Sequence, residues 1–558
     1  MSHIQVALIR AQEHDYDYRQ WHEDIRLGYL LSVLRQNNVI CQSFDFAMRP
    51  LLKSDDYLDA IAEIANVTPD LVIFVVDKHP TNNPFYTSYL IRKCREESTL
   101  ENAHFSLYGN TTIGTHRLLR ELPIDSVVVG EENDCLILAK HILYQSPALL
   151  GDVPGIAWIS RNDEVISTNP LPLTNLDSLP QPSRYFFELP PEKRHKYGYV
   201  GAILASRGCY GTCTFCNIRS YEKIYGSYPW RGMSPNRVVD EIEDLYKQHG
   251  VKEFSFLDSN FFGPGKRGQE WAKSVAQEIL TRGISEIAFS IYARANDINL
   301  ETFELLKKAG LYAVFIGVES FSQDVLDRYL KGTTVQDNIN AIRTLMDLDI
   351  RVRIGFITFD HFTTLGELRE SIKFLKEICS YKPHLLTQPI FFQNILVPLE
   401  DTPLGDEYLK MGLAQDWVDY KFGQLFTSQQ KRAAREGKIT AVSDSRIAYI
   451  VESTRVLGSE LLQRSTALET QLSETLISAS DNNTLEYQSL DQVLSWFDNL
   501  MPFIVSELEL VCDKVENDLS LSNEYLADQV VKDCEEYDKK HLGYPIKLPH
   551  SSLIAITD

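Results

Sequence analysis

The sequence predicts an α/β fold in which two series of parallel strands are followed by a helical C-terminal region. Three observations predict it: apolar runs alternate with amphipathic helical patterns over the first 145 residues, a second alternating series begins near residue 199, and no convincing strand series follows Pro403. The 558 residues are about twice the length at which one hydrophobic core stops growing, so two to four domains are expected.

The first series, over residues 1–150, is typical of a doubly wound Rossmann-like sheet. Its predicted strands are Ile4–Ile9, Val39–Phe46, Leu71–Val76, His104–Tyr108 and Ser126–Val129. Its predicted helices are Ile25–Gln36, Tyr57–Ala65, Pro84–Arg95, Thr115–Leu122 and Asp134–Leu143. Such a sheet binds ligands at the carboxyl ends of its strands, and here those ends carry Asp77–Pro80, Gly109–Thr112 and Gly130–Glu132.

Residues 151–198 are predicted to form a Pro-rich linker. Seven of the chain's 23 prolines fall between Pro154 and Pro191, and a hairpin is expected around Arg161–Asp163. The segment is therefore expected to span between two domains rather than to form one.

The second series, over residues 199–405, predicts a partial (β/α)6 barrel of the TIM type. Its predicted strands are Ala202–Arg207, Glu253–Leu257, Ile287–Tyr292, Ala313–Gly317, Arg351–Ile357 and Ile390–Val397. Its predicted helices are Arg237–His249, Gln269–Arg282, Leu300–Ala309, Val335–Leu348 and Gly366–Ser380. A site is expected at the C-terminal face of the barrel, in the loops that follow the strands.

Residues 406–558 are predicted to form an acidic helical domain, a cap or an interaction domain. Ser445–Arg464 and Leu490–Leu519 have amphipathic helical patterns. Residues 401–558 hold 27 acidic and 14 basic side chains, an excess of 13 in a chain whose net charge is −22. More than half of the charge therefore lies outside the two α/β series.

The net charge of −22 opposes nonspecific attraction to nucleic acid and to anionic membranes, so neither is predicted as a partner. No apolar run approaches the length of a membrane span, and Met1–Arg10 lacks the basic-then-apolar pattern of a signal peptide. We therefore expect a cytoplasmic protein, in a compartment that keeps thiols reduced.

Three of the nine cysteines form a pattern with chemical meaning. Cys209, Cys213 and Cys216 lie within eight residues, just after the first strand of the second series. Three thiolates on one loop can hold three irons of a cubane cluster and leave the fourth iron open to a substrate. The alternative is a structural zinc site, which takes four ligands; no second Cys or His pair lies nearby, and the closest downstream histidine is His249.

The spacing Cys-x3-Cys-x2-Cys resembles the signature of the radical S-adenosylmethionine (SAM) superfamily, with Phe215 at the aromatic position that the resemblance assigns to the SAM site. Further segments resemble the cobalamin (B12)-binding branch of that superfamily, and the resemblance covers residues 1 to about 410. These segments are Arg26–Leu34, Val127–Glu131, Tyr228–Ile242, Phe256–Phe261, Leu305–Gly310, Phe315–Ser320, Leu330–Thr333 and Gly355–Ile357. The resemblance implies a [4Fe-4S] cluster on Cys209, Cys213 and Cys216. It also implies that SAM chelates the fourth iron and is cleaved by one electron to methionine and a 5′-deoxyadenosyl radical.

The resemblance further implies residues that bind SAM. Asp258, Ser259 and Asn260 occupy the position of a GGE-type motif that contacts the SAM amine, but they depart from it in every letter. The alternative for them is a loop that caps a helix. Arg294 is expected to pair with the SAM carboxylate, the alternative being a surface ion pair. Glu319, which ends the fourth strand, is expected to bind the SAM amine or ribose.

The first domain resembles the branch that binds cobalamin with no protein histidine on cobalt. The loop Ala11–Glu23 lacks the D-x-H-x-x-G motif of proteins that ligate cobalt through histidine. His79 belongs to a D-x-H, but this follows the third strand and has Asn82 in place of the glycine. The other interpretation of His79 is a loop histidine beside the corrin. The residues expected to flank the nucleotide tail of cobalamin are Gly109, Asn110, Gly130 and Glu131.

These features predict an enzyme in which the radical abstracts hydrogen from an unactivated carbon of a small-molecule or peptide substrate. Methylcobalamin then donates a methyl group, and a second SAM remethylates the cobalamin. A cyclase or rearrangement enzyme without methyl transfer is the alternative in the same cofactor class. From a different class, an iron–sulfur and B12 electron-transfer or carrier protein is the other alternative. A flavodoxin or ferredoxin is an expected electron donor, and a homodimer is left open.

Overall fold

The computed structural model divides the chain into two compact units, which are described separately. The first comprises Met1–Tyr292, Leu305–Leu311 and Val397–Lys438, and the second comprises Ala293–Glu304, Tyr312–Leu396 and Ile439–Asp558. The structure describes residues 3–11, 23–46, 56–76, 85–109, 115–144, 150–189, 199–224, 229–386, 394–396, 399, 402–413, 442–479, 487–517 and 523–546.

The first unit opens with a seven-stranded sheet in the order β2-β1-β3-β4-β5-β6-β7, of which β1 to β5 are parallel. Its strands are β1 (Val6–Arg10), β2 (Cys41–Asp45), β3 (Leu71–Val76), β4 (His104–Gly109), β5 (Ser126–Val128), β6 (Ile156–Ile159) and β7 (Val165–Ser167). Its helices are α1 (Ile25–Gln36), α2 (Asp56–Val67), α3 (Phe85–Glu96), α4 (Thr115–Glu121) and α5 (Glu132–Leu143). The predicted Rossmann-like fold is confirmed.

Helices cover both faces of this sheet, as the alternation along β1 illustrates. Ala7 and Ile9 belong to one buried apolar cluster, whereas Val6 and Leu8 belong to another. Successive side chains of a strand point to opposite faces, so each face packs on its own set of helices. With both faces covered, ligands can reach the sheet only at its strand ends and edges.

The hairpin expected in the linker extends the first sheet. β6 pairs antiparallel with β5 and with β7. Asp163 takes a positive φ of 61° in the turn, a conformation that aspartate tolerates better than most side chains. The first part of the Pro-rich segment is therefore part of the sheet.

The first unit continues into the second α/β series. Its further elements are α6 (Tyr185–Glu188), β8 (Gly201–Ile203), β9 (Ser206–Gly208), α7 (Ile218–Ile224), β10 (Trp230–Gly232), α8 (Pro235–His249), β11 (Glu253–Phe256), α9 (Gly265–Thr281) and most of β12 (Ala288–Arg294). β11 pairs parallel with β8 on one side and with β12 on the other. The predicted β/α alternation is thus present.

The prediction of one strand over Ala202–Arg207 is wrong, because the segment forms two strands. β8 pairs with β11, whereas β9 forms a separate antiparallel pair with β10. Ser206 and Arg207 of β9 are bound by carboxylates that lie elsewhere in the sequence. These non-local partners account for the change of direction after β8.

The second unit contains the next part of the β/α series, in which β13 and β14 are parallel. The elements of this part of the chain are α10 (Leu300–Lys308, divided between the units), β13 (Leu311–Glu319), α11 (Gln323–Arg328), α12 (Val335–Asp347), β14 (Arg351–Phe356) and α13 (Leu365–Cys379). α14 (Pro403–Lys410) returns to the first unit. Most of the sixth predicted strand, Ile390–Val397, lies outside the described residues.

The C-terminal region is helical, as predicted. Its helices are α15 (Ser445–Ala479), α16 (Tyr487–Asp498), α17 (Leu500–Asn517) and α18 (Asn523–Leu542). The prediction of a single helix over Leu490–Leu519 is wrong, since one helix ends at Asp498 and the next begins at Leu500. Pro502 cannot donate the N–H that a continuous helix would pair with the carbonyl of Asp498, so it lies in the first turn of a new helix. Within the described part of the chain, every helix is too short or too polar to cross a bilayer.

Candidate functional site

The three motif cysteines lie on one tight loop between β9 and α7. Cys213 is buried, whereas Cys209 and Cys216 are partly exposed. The backbone N–H of Gly211 donates to Sγ of Cys209 at 3.4 Å, and that of Cys216 donates to the carbonyl of Cys213 at 3.3 Å. The loop is also fixed at Thr214, whose carbonyl accepts a hydrogen bond from Leu404 at the start of α14.

The donor set of this loop fits an iron–sulfur cluster. Thiolates are the ligands that such clusters take, and three of them within eight residues leave one iron of a cubane without a protein ligand. The described residues contain no preassembled group of three metal-ligating side chains. The assignment of Cys209, Cys213 and Cys216 to a cluster therefore rests on ligand type and spacing, and it stays a prediction.

Asp258, two residues after the end of β11, is a buried ionisable group bound to Ser206 of β9, the strand that leads into this loop. Its side chain is buried, and Oδ1 accepts a hydrogen bond from the Ser206 hydroxyl. Its Oδ2 has no hydrogen-bond partner among the described residues. Burial raises the pKa of this carboxyl to about 7. A buried acceptor without a donor fits a ligand that brings a positive charge or an N–H group.

The other two residues of the predicted SAM-amine motif differ from Asp258. Asn260 is buried, and its side-chain amide donates to the carbonyl of Phe262 at 2.7 Å. Its own carbonyl accepts hydrogen bonds from Trp230 Nε1 and the Ser206 hydroxyl. Ser259 is half-buried. Asn260 thus shapes the loop, and Asp258 is the member of the motif whose chemistry fits a ligand.

Arg294 ends β12 in a buried position, so the alternative of a surface ion pair is wrong. Its guanidinium donates through Nη2 to the carbonyl of Lys331, and its backbone N–H donates to Asp297 Oδ2 at 3.3 Å. The planar cation is therefore held by the backbone and suits a carboxylate ligand.

Glu319 ends β13 next to a β-bulge and has a positive φ of 64°. Its Oε1 lies 2.8 Å from Nζ of Lys331, whose side chain is only 4% exposed. A Cβ at Gly317 would lie 2.8 Å from both of these charged atoms, so glycine leaves room for the pair. Backbone strain of this kind concentrates at functional sites. Lys331 was not singled out by the sequence analysis, although it lies within the segment Leu330–Thr333.

The structure therefore groups the predicted SAM residues in two sets. In the first unit, Ser206 connects Asp258 and Asn260 to the strand that enters the cysteine loop, and Phe215 is half-buried within that loop. In the second unit, Lys331 connects Arg294 and Glu319.

The predicted cobalamin residues lie at the carboxyl ends of β4 and β5. Gly109 has a φ of 133°, and a Cβ there would lie 2.2 Å from the carbonyl oxygen of Val76. A Cβ at Gly130 would lie 1.8 Å from Oδ2 of Asp134. Close packing of the chain thus explains both glycines. Asn110 and His79 lie outside the described residues.

Glu131 has partners within the protein that the sequence did not indicate. Its buried carboxylate pairs with Arg207 at 2.7 Å and with Arg231 at 2.8 Å. These contacts give Glu131 a structural role, and its predicted role beside cobalamin stays untested.

Comparison with known proteins identifies the second α/β series. Residues 203–375 match the family model of the radical SAM superfamily. This segment of the chain is a radical SAM domain. A radical SAM domain implies SAM and a [4Fe-4S] cluster as cofactors, and the matched segment contains the cysteine loop, Asp258, Arg294 and Glu319.

Two curated proteins that resemble this chain are named for different reactions. An uncharacterised methyltransferase of Pyrococcus horikoshii is 29% identical over 358 residues, which are 63% of this chain and 72% of that protein. The anaerobic magnesium-protoporphyrin IX monomethyl ester cyclase of Cereibacter sphaeroides is 30% identical over 56% of this chain, but the alignment spans only 49% of the cyclase.

Solved structures share the fold of this chain over 73–98% of its length. OxsB, a cobalamin-dependent SAM radical enzyme solved with aqua-cobalamin and SAM, superposes with a TM-score of 0.69 at 18% identity, covering 98% of this chain and 85% of OxsB. The methyltransferase TsrM of Kitasatospora setae, solved with cobalamin and a [4Fe-4S] cluster, superposes with a TM-score of 0.57 at 17% identity, covering 73% and 75% of the two chains. This radical SAM protein therefore has the fold of cobalamin-dependent radical SAM enzymes.

Proposed function

We propose that this chain is a cobalamin-dependent radical SAM enzyme that methylates an unactivated carbon of a small-molecule or peptide substrate. The observation that carries the proposal is that a single chain with the radical SAM cysteine loop has, over 98% of its length, the fold of an enzyme solved with both cobalamin and SAM. The methyltransferase relative of Pyrococcus horikoshii, aligned over 63% of the chain, supports methyl transfer as the outcome.

In this proposal, Cys209, Cys213 and Cys216 hold the cluster as thiolates. When bound, the cluster and SAM would provide a carbon-centred radical, and cobalamin would carry the methyl group. The half-exposure of Cys209 and Cys216 leaves an approach to the cluster position. The buried Cys213 anchors the loop on its protein side.

In the proposed site, Oδ2 of Asp258 accepts a hydrogen bond from the SAM amine. Ser206 fixes the other oxygen of the carboxyl, so the acceptor is oriented before the ligand arrives. A cationic amine beside the carboxyl favours its ionised form and lowers the pKa that burial raises. Binding of SAM is therefore expected to release a proton from Asp258 at neutral pH.

Arg294 and the Glu319–Lys331 pair supply both signs of charge for a zwitterionic ligand. The Arg294 guanidinium suits a carboxylate, and the Glu319 carboxylate suits an amine or the hydroxyls of a ribose. Lys331 pairs with Glu319 at 2.8 Å and so fixes the position of its carboxylate. In the proposal, these residues of the second unit orient SAM.

Cobalamin is proposed at the carboxyl ends of β4 and β5, beside Gly109 and Gly130, with no histidine of the protein on cobalt. The support is the fold of the first sheet, its similarity to enzymes solved with cobalamin, and the missing D-x-H-x-x-G motif. Reduced flavodoxin or ferredoxin is the proposed electron source in the cytoplasm, and a homodimer is left open.

A cyclisation or rearrangement without methyl transfer is the second candidate. The 30% identity to a cyclase that acts on a magnesium porphyrin ester supports it, although the alignment spans about half of that enzyme. An iron–sulfur and B12 electron-transfer or carrier protein is the candidate from a different class, and it requires no cleavage of SAM.

Product analysis separates the three candidates. Protein reconstituted anaerobically with iron, sulfide and cobalamin is incubated with reductant, methyl-labelled SAM and extracts fractionated into small molecules and peptides. Methylation predicts labelled product together with S-adenosylhomocysteine and 5′-deoxyadenosine. Cyclisation predicts 5′-deoxyadenosine and an unlabelled product, and a carrier predicts intact SAM. Either of the last two results contradicts the proposal.

A further inference from the structure

Two buried arginines lie directly opposite each other on the strand pair that leads into the cysteine loop. Arg207 of β9 and Arg231 of β10 are register partners, and as whole residues they are 8% and 5% exposed. Like charges opposite each other on paired strands repel, and burial removes the water that would screen them. This arrangement requires negative charge from elsewhere in the fold.

Glu131 supplies that charge to both arginines. Its Oε1 lies 2.7 Å from Nη1 of Arg207, and its Oε2 lies 2.8 Å from Nη1 of Arg231. Burial alone would raise the pKa of Glu131, but the charges and hydrogen bonds of the two arginines outweigh it and hold the pKa below its usual value. Glu131 is therefore an ionised bridge between β9 and β10.

Glu132 completes the group. Its two oxygens each lie 2.8 Å from a different nitrogen of the Arg207 guanidinium, so this contact is bidentate. Both glutamates lie at the N-terminus of α5, where the helix dipole favours negative charge. The result is a neutral group of two carboxylates and two guanidiniums in which Arg207 is bound on several sides.

We propose that Arg207 and Glu131 are positioning residues for the cysteine loop. Arg207 is two residues before Cys209, and only Gly208 intervenes. The side chain of Ser206, on the other face of β9, is bound to Asp258. β9 is thus anchored on both faces immediately before the first thiol of the loop. The inference rests on the proposed function, since it assumes that this loop holds the cluster.

The group of two arginines and two glutamates provides defined contact geometry as well as balanced charge. The guanidinium has five donors in a planar fork, whereas a lysine ammonium is a compact charge that cannot make the same bidentate contacts. Arg207→Lys therefore keeps the group neutral but loses the fork. If positioning is the role of Arg207, this variant folds and its cysteine loop loosens.

Arg184 offers a matched control in the same unit. Its side chain is 9% exposed, as is that of Arg207, and it also bridges two buried glutamates, Glu23 at 3.3 Å and Glu241 at 3.2 Å. It further donates to the carbonyl of Ala202 in β8. Arg184→Lys thus perturbs a comparable buried group whose partners are not on β9.

Hydrogen exchange on the full chain before reconstitution tests the inference. In Arg207→Lys, the amides of residues 206–216 are expected to exchange faster than in the wild type, because local opening of this segment costs less free energy when β9 is held less firmly. Arg184→Lys is expected to have a thermal stability similar to that of Arg207→Lys but to leave the exchange rates of residues 206–216 unchanged. After reconstitution, Arg207→Lys is expected to hold several-fold less iron and sulfide than Arg184→Lys.

Equal exchange of residues 206–216 in the two lysine variants overturns the inference. If Arg207→Lys does not fold, Glu131→Asp, which keeps the charge but shortens its reach, is tested in the same way. Failure of both to fold also overturns it, because the group would then serve the whole unit rather than the loop. The exchange measurement uses neither SAM nor a substrate, so it can contradict the positioning role while the assay supports methyl transfer, and the reverse.

Discussion

Ser206 donates a hydrogen bond to the buried carboxyl of Asp258, 52 residues further along the chain. This contact connects the strand before the cysteine loop to the end of the next parallel strand. It leaves Oδ2 of Asp258 as a buried acceptor without a donor among the residues that the structure describes. The carboxyl therefore has one fixed oxygen and one available for a ligand, which is the arrangement that a binding site for an amine needs.

Asp258→Asn is expected to change how stability depends on pH. Burial raises the pKa of Asp258 from 3.8 to about 7, so between these values the folded protein binds a proton that the unfolded chain does not. Stability contributed by this group is therefore lost as the pH rises from about 4 to about 7, by up to roughly 4 kcal/mol for such a shift.

Urea unfolding of the cofactor-free protein checks this. The free energy of unfolding of Asp258→Asn minus that of the wild type is expected to be larger at about pH 8 than at about pH 5. Ser206→Ala is the companion variant, because loss of its hydrogen bond to the carboxylate is expected to raise the pKa further. A difference between Asp258→Asn and the wild type that does not vary with pH contradicts the prediction.

Lys331→Met is expected to weaken SAM binding by about tenfold or more. The substitution leaves the Glu319 carboxylate, which is 13% exposed, without its counter-ion at 2.8 Å, so the carboxylate loses the partner that fixes its position. Isothermal titration of the reconstituted protein with SAM measures the effect.

Lys252→Met is the control for Lys331→Met. Lys252 pairs with Glu286 at 2.7 Å, but both side chains are mostly exposed. Exposed pairs contribute little, so this variant should bind SAM as the wild type does. Equal dissociation constants for the two variants would remove Lys331 from the site.

Asp538→Ala is expected to destabilise the helical region by about 1–3 kcal/mol. Its carboxylate is fully buried, pairs with Arg464 at 2.9 Å and accepts the indole N–H of Trp496 at 2.9 Å. Without it, a buried guanidinium and a buried N–H lose an acceptor. Denaturant unfolding measures the loss. The exposed Glu536 on the same helix is the control, since its alanine variant is expected to change stability by less than about 0.5 kcal/mol.

Cys213→Ala is expected to abolish cluster assembly and SAM cleavage while cobalamin stays bound. Cys213 is the buried thiol of the loop, whereas the proposed cobalamin site is on the first sheet. Iron content and the visible spectrum of bound cobalamin report the two separately. Cys94→Ala, a buried cysteine of α3 outside the motif, should keep both cofactors. Loss of both in Cys213→Ala contradicts the assignment of the cofactors to separate parts of the chain.

Local signals explain which elements could be predicted. The bounds of α1 and β3 coincide with the predictions, since α1 begins after the capping side chain of Asp24 and β3 is an apolar run buried throughout. The split between β8 and β9 could not be predicted in this way. It depends on Arg231 in β10 and on Glu131 at the start of α5, which are distant in the sequence from Arg207.

The candidate site shows the same division. The spacing of Cys209, Cys213 and Cys216 is a local pattern, and it was sufficient to predict the radical SAM domain. The pairing of Lys331 with Glu319 depends on a positive φ at Glu319 and on the space beside Gly317, which no residue pattern encodes. The raised pKa of Asp258 follows from burial, which also becomes visible only in the folded chain.

The most direct test of the central claim is to measure both SAM-derived products in one reaction. The protein is reconstituted anaerobically with iron, sulfide and cobalamin, then incubated with SAM, reductant and its substrate, beside Cys213→Ala. The account predicts 5′-deoxyadenosine and S-adenosylhomocysteine from the wild type, and no 5′-deoxyadenosine from the variant. Intact SAM in a sample with a complete cluster and an authentic substrate would contradict it.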